Sequence, residues 1–166
     1  MAREVLVAAS LAVQGVHKRE KLDNVTMPVL KHTTETWRGA GGLVDQEISL
    51  GLEVIVAQFS IVGLDLDLQN AISLSKRDKL FVIYAYARQK GGANVKVKVT
   101  MRGLLKPSDQ DAVEGNNLVK NGWEFVCDYY KYEQAGKIVH EVDVNGTVMI
   151  IGGVDEAAAH NEGLGL

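Results

Sequence analysis

The chain has 166 residues, 46% of them apolar and 23% charged, with a net charge of −3 and a pI near 5.8. That length suits one domain, residues 1–166, with a sizeable core, and an acidic balance speaks against a dedicated nucleic-acid binder, which carries a basic excess. The lone cysteine, Cys127, excludes an internal disulfide or a cysteine metal knuckle and is expected as a small core residue made in a reducing compartment. In chain order, the first apolar stretch is Val5–Val13. It superficially resembles a secretory signal, but Glu4 offsets the positive start and no small-x-small cleavage site precedes Gln14-Gly15. It is also too short to span a membrane, so a buried strand or short helix is expected.

The run Arg38-Gly-Ala-Gly-Gly42 predicts a flexible or tightly turning loop. From Leu52 to Gly63 the chain is apolar on both faces of an expected strand. Ile55, Ala57, Phe59 and Ile61 fall on one side, with Leu52, Val54 and Val56 on the other. A strand with one solvent face normally alternates, so this one asks for a second cover from a sheet, a helix or another copy of the chain. Leu64, Leu68, Ala71 and Ile72 stand at helical spacing behind Asp65, a plausible N-cap.

Period two then resumes. Leu80–Arg88 sets Phe81, Ile83, Ala85 and Ala87 against Leu80, Val82, Tyr84 and Tyr86. Asn94–Arg102 sets Val95, Val97, Val99 and Met101 against Lys96, Lys98, Thr100 and Arg102, the pattern of a half-buried strand. Trp123–Lys131 sets Trp123, Phe125, Cys127 and Tyr129 against Glu124, Val126, Asp128 and Tyr130. Ala135-Gly136 predicts a hairpin turn, and Asn145-Gly146 predicts a type I′ turn into Thr147–Ile151. Asp155–His160, acidic at its start and ending in histidine, suits a short helix. The sum is a mainly β domain, a sandwich or barrel with a central helix and a short C-terminal one.

No catalytic constellation emerges. Arg38–Gly42 lacks the Lys-Ser/Thr of a phosphate loop, and Val44 stands where a dinucleotide fingerprint needs its third glycine. His17, His32, His140 and His160 have no metal-type spacing, and no Gly-x-Ser-x-Gly elbow is present. Asp65-Leu-Asp67 and Asp109-Gln-Asp111 do not continue into calcium loops, so a cap and a solvated turn account for them. The basic stripe Lys96, Lys98 and Arg102 reads as a solvated face, a charged contact with another protein, or a nucleic-acid contact that lacks stacking platforms. No enzyme activity, cofactor or metal is expected.

Several ordered segments carry a resemblance. Leu22-Asp-Asn-Val-Thr-Met-Pro-Val-Leu-Lys31, followed by Glu35-Thr-Trp-Arg-Gly-Ala-Gly-Gly42, resembles the major tail tube proteins of contractile-tailed phages and of R-type bacteriocins. Gly51-Leu-Glu53, Met101-Arg-Gly-Leu-Leu-Lys106, Tyr129-Tyr-Lys131, Glu141-Val-Asp143 before Asn145-Gly146, and Gly153-Val-Asp155 continue the likeness in order to Leu166. The first twenty residues match only in general character.

The resemblance implies a non-enzymatic virion protein made in the bacterial host cytoplasm, with two packed antiparallel sheets and a helix. It implies hexameric rings that stack into a hollow tube inside a contractile sheath, without a membrane anchor. Tape measure protein and DNA would occupy the lumen, and baseplate and tail terminator proteins the ends. Strands from six subunits would form a continuous inner barrel, which would supply the second cover that the 52–63 strand lacks. Six copies at −3 each would make an acidic ring, past which DNA slides without binding. Within that expectation, Gly39, Gly41, Gly42, Asp45 and Glu47 belong to a stacking loop over Gly39–Leu50, and Val54, Val56 and Gln58 to an inter-subunit strand. Lys96, Lys98 and Arg102 make a charged contact face. Two other readings compete. One is the tube of a related contractile injection or type VI secretion system. The other is a monomeric β-sandwich binding module using Trp37 and the Tyr129, Tyr130, Tyr132 cluster.

Overall fold

Segments that alternate apolar and polar residues become strands because each then buries one side only. A computed structural model describes residues 3–145 and 148–166. Strands β1 (Glu4–Val13), β2 (Val16–His17) and β3 (Leu22–Thr26) open the chain. They are followed by β4 (His32–Trp37), β5 (Gln46–Leu52) and β6 (Val56–Val62). Helix α1 (Leu66–Ala71) leads into the long strands β7 (Lys79–Gln89), β8 (Asn94–Gln110) and β9 (Lys120–Gln134). Then come β10 (Lys137–Asp143), β11 (Met149–Ile151), β12 (Val154–Asp155) and helix α2 (Ala157–Gly163).

All pairings are antiparallel, and ten strands share one sheet in the order β12-β11-β10-β9-β8-β7-β1-β2, with β6 and then β3 branching from β9. The expected packed layers are formed by this ten-stranded sheet folding on itself, with β4 and β5 making a second, two-stranded sheet. Phe81 on β7 pairs with Met101 on β8, whereas Phe125 on β9 pairs with Leu105, four residues further along β8. Their rings nevertheless stack with centroids 4.4 Å apart, and Phe59 on β6 lies 5.9 Å from Phe81. A flat sheet would hold them too far apart for that.

The corner is at Asp128. Arg102 pairs with Tyr129 and Gly103 with Cys127, which leaves Asp128 as a bulge. Before it, Trp123, Phe125 and Cys127 are buried as the alternation predicts; after it the phase inverts, burying Tyr130 and not Tyr129. The strand changes face there and its partner changes too. On the edge of β9 away from β8, β6 pairs as far as Val126, and β10 begins at Tyr129. Gly103 is required at this corner, since a Cβ would stand 2.0 Å from the Val126 carbonyl oxygen.

Ile55, Ala57, Phe59 and Ile61 face the core as expected, together with Leu11, Phe81, Ile83, Val99, Met101 and Phe125. The Val5–Val13 stretch is a strand, but only its end from Leu11 is buried; Val5, Leu6 and Val7 are exposed. Helix α1 is shorter than the pattern suggests, ending at Ala71, with the Asp65 carboxylate accepting the Leu68 N–H at 3.2 Å as its cap. The Ala135-Gly136 turn joins β9 to β10, both residues at positive φ. The Asn145-Gly146 turn extends beyond the described residues.

Candidate assembly surfaces

Of the segment expected as a loop over Gly39–Leu50, residues 39–45 are loop and turn, and Gln46–Leu50 belong to strand β5. β4 and β5 form a separate two-stranded hairpin, joined by residues 38–45, and every residue from Glu35 to Leu50 but one is exposed. At its neck Arg38 Nε donates to Asp45 Oδ1 at 2.5 Å. The Gly42 N–H donates to the Gly39 carbonyl at 2.8 Å. The Trp37 indole lies so near Gly39 that a Cβ there would meet it at 3.0 Å. Gly41 has open space around it, and Glu47 pairs with Thr36.

The register gives the hairpin two unlike faces. Thr36 opposite Glu47, and Thr34 opposite Ser49, share one side with His32, whose Nδ1 lies 2.8 Å from the Ser49 hydroxyl. Trp37 opposite Gln46 and Glu35 opposite Ile48 share the other, and the register then skips Leu50 as a bulge between Ser49 and Gly51. Trp37 is 55% exposed and Leu50 62%, and Leu43 at the tip is 94% exposed. Among the described residues none encloses this apolar face.

The three residues of the expected inter-subunit strand lie differently. Val54 is exposed in the link between β5 and β6, Val56 is half-buried opposite Val126, and Gln58 is exposed between Thr26 and Glu124. β6 is hydrogen-bonded on both edges, so it offers a face and no edge. Beside it, at the fork where β6 and β10 part, an apolar groove of about 610 Å³ is lined by Val54, Ile55, Val126, Val144, Met149 and Ala157 among others.

The basic stripe divides. Lys96 and Lys98 line a second groove, of about 790 Å³, which Arg19 from the β2–β3 loop and Arg88 from β7 also reach. Tyr84 and Tyr86 form part of its wall, and Lys98 Nζ lies 5.8 Å from the Tyr84 ring centre. Arg102 is elsewhere, 5.5 Å from the ring of Tyr129, whose hydroxyl donates to Glu141 Oε1 at 2.8 Å. Burial first, then the Glu141 hydrogen bond and charge, push the Tyr129 phenol up to about 12. Arg19 and Arg88 could not be grouped with the lysines from sequence, because only strand register brings those positions together. The aromatic residues of the binding-module reading do not converge: Tyr130 is in the core, and neither groove is lined by Trp37, Tyr129, Tyr130 or Tyr132.

Outside both grooves is a buried ion cluster. Lys18, 9% exposed, pairs with Asp65 at 3.1 Å and with Asp67, tying the β2–β3 loop to the start of α1. Burial pushes the Asp65 carboxyl up, but hydrogen bonds from Lys18 and the Leu68 N–H, with the charges of Lys18 and Lys21, outweigh it and hold the group below the usual carboxylate range. Burial raises the Cys127 thiol to about 12, with the Asp128 charge adding to it, which leaves an inert core residue. Among the described residues no His/Cys/Asp/Glu group could hold a metal ion, and no helix is long and apolar enough to cross a membrane.

Solved structures share this fold. The sheath/tube terminator of an extracellular contractile injection system superposes with a TM-score of 0.53 at 12% identity, over 75% of this chain and 92% of that one. The tube-terminating cap of the anti-feeding prophage gives 0.53 at 12%, over 76% and 88%. In sequence, the tail tube protein of Escherichia phage P2 is 28% identical over 158 residues, covering 92% of this chain and 89% of the relative. Residues 3–165 match the family model described as phage tail tube protein FII, so this chain belongs to that family of structural tail proteins.

Proposed function

We propose that copies of this chain close into hexameric rings and that the rings stack into the hollow inner tube of a contractile tail, the conduit for DNA through the host envelope. The observation that carries the reading is the β4–β5 hairpin. A two-stranded hairpin alone is at best marginally stable in water, and this one stands off the sheet with Trp37 and Ile48 exposed on one face. Such a face is held only when another copy covers it.

The hairpin, including Gly39, Gly41, Gly42, Asp45 and Glu47, reaches the next ring. The face carrying Val54, Val56 and Gln58 meets a neighbour in the same ring. Contractile sheath protein surrounds the tube, tape measure protein and DNA fill it, and baseplate and terminator proteins close its ends. Ring-on-ring stacking is heterologous and open, the symmetry that builds filaments.

Negative-stain electron microscopy of the purified chain at high concentration tests this reading. Stacked rings or hollow tubes are expected. Monomers alone, even after a nucleating baseplate is added, would overturn it. Replacing residues 39–50 by a short turn should leave a folded subunit that forms no tubes. Unchanged tubes from that variant would remove the hairpin from stacking.

A further inference from the structure

The groove that gathers Arg19, Arg88, Lys96 and Lys98 contains one carboxylate, Glu133, and that group pairs with Lys131 at 3.4 Å. Among the described residues none of the four cations has an ion-pair partner in its own chain, although salt bridges engage Lys18, Lys21, Arg77, Lys106 and Lys120. The groove lies at the Asn94 end of β8.

At the other end of the same 17-residue strand is the opposite arrangement. From Pro107 to Val119 the chain carries Asp109, Asp111 and Glu114 and no lysine or arginine. This stretch ends β8 and forms the loop to β9. Among the described residues its carboxylates meet only local N–H groups: Asp109 accepts from Gln110, Asp111 from Lys120, and Glu114 from the Asn117 side chain. Val113 and Leu118 in the loop are 81% and 76% exposed. Acids with two bare apolar side chains match cations with two tyrosines, yet no residue of the loop lines the groove of its own chain.

We propose that the groove of one copy receives the acidic β8–β9 loop of the next. This rests on the reading that the chain assembles with itself, and it adds a head-to-tail contact distinct from the hairpin. Asp109, Asp111 and Glu114 face Arg19, Arg88, Lys96 and Lys98, while Val113 and Leu118 lie against Tyr84 and Tyr86. The loop is a better occupant than a nucleic-acid backbone, because the groove holds Glu133 opposite Lys98 and the chain as a whole is acidic. Charged contacts of this kind set register and partner choice, and salt weakens them, largely screening charges more than about 8–10 Å apart.

Charge exchange tests the contact in the full chain. K96E/K98E should form tubes at least ten-fold more slowly than wild type, and D111K/E114K likewise. Both should keep the wild-type circular dichroism spectrum and Tm. The four-fold variant carries reversed charge on both sides and should regain assembly. An equimolar mixture of the two double variants should regain it as well, which covers the case of a four-fold variant that folds poorly. Double variants that assemble like wild type would overturn the contact, and so would failure of both rescues.

A second measurement does not depend on tubes. A fluorescein-labelled peptide of residues 107–119 should bind the wild-type chain at low salt, weaken as NaCl rises, and bind K96E/K98E at least ten-fold more weakly. Peptide binding by a chain that never forms tubes would uphold the contact and sink the tube reading. Tubes without peptide binding would do the reverse. A single-stranded oligonucleotide that competes for the groove more tightly than the peptide would reassign it to nucleic acid and overturn the loop as its occupant.

Discussion

The sheet around Phe81 and the β4–β5 hairpin are both antiparallel β-structure, but only the first closes over its own apolar face. The ten-stranded sheet folds at Asp128 and Gly103 until Phe59, Phe81 and Phe125 meet from three strands, with Leu11, Leu68 and Met101 fully enclosed around them. The hairpin has the same alternation and β-forming residues, with Trp37 and Ile48 aligned on one side, and no described residue encloses them. The first region is stable in the monomer because burial of apolar area offsets its ordering entropy. The second has no such enclosure among the described residues. A subunit can thus be folded and still be incomplete, which suits a protein that polymerises only after it is made.

The sharpest way to break that comparison is at the core. Phe81→Ala removes a fully buried ring stacked on Phe125, and a change of this kind costs about 3–5 kcal/mol. Urea unfolding should show the midpoint falling with little change in slope. A loss below about 1 kcal/mol would mean that the folded-over layers contribute little and that monomer and hairpin are more alike than the contacts indicate.

A smaller effect is expected at the ion cluster. In Asp65→Asn the amide still caps α1, since asparagine caps about as well as aspartate, but Lys18 loses one of its two partners in a buried place. The expected loss at pH 7 is about 2–4 kcal/mol, near or just below the range for breaking a buried pair. The sign of its pH dependence follows from the depressed carboxyl of Asp65. The stability it adds is complete above its unfolded value of about 3.9 and is lost as pH falls through the lower native value. The gap between wild type and variant should therefore close below about pH 4. A gap of constant size from pH 7 to pH 2.5 would locate the effect in packing instead of charge.

Much of this architecture can be read from the residues, and the parts that cannot share a cause. Val95, Val97, Val99 and Met101 announce the inner side of β8, and Ile55 to Ile61 the inner side of β6, because period two survives wherever a strand stays flat. The corner does not announce itself. One bulged residue, Asp128, inverts every assignment after it, so Tyr129 and Tyr130 exchange the roles their spacing suggests. The same limit explains the surfaces. Gln46, Ile48 and Leu50 alternate visibly, but only the β4–β5 register shows that Gln46 and Ile48 share a face with Trp37 and that Leu50 is bulged out of the pairing. Arg19 joins Arg88, Lys96 and Lys98 only through pairing of strands far apart in sequence.

The smallest effect on the subunit should come from the hairpin itself, and it sharpens the comparison most. Trp37→Ala and Ile48→Ser each strip the bare face without touching the enclosed core. Substitutions away from buried features stay within about 0.5 kcal/mol, so both variants should unfold at the wild-type urea midpoint. Thr34→Ala and Thr36→Ala, on the polar face of the same two strands, should match them in the monomer. The four should separate only when tubes are counted, because covering a bare aromatic in an interface is worth far more than covering a threonine. Tube yield should fall for Trp37→Ala and Ile48→Ser and hold for the two threonine variants. If Trp37→Ala instead cost the monomer more than about 1 kcal/mol, the hairpin would belong to the subunit's own fold and the division between the two regions would fail.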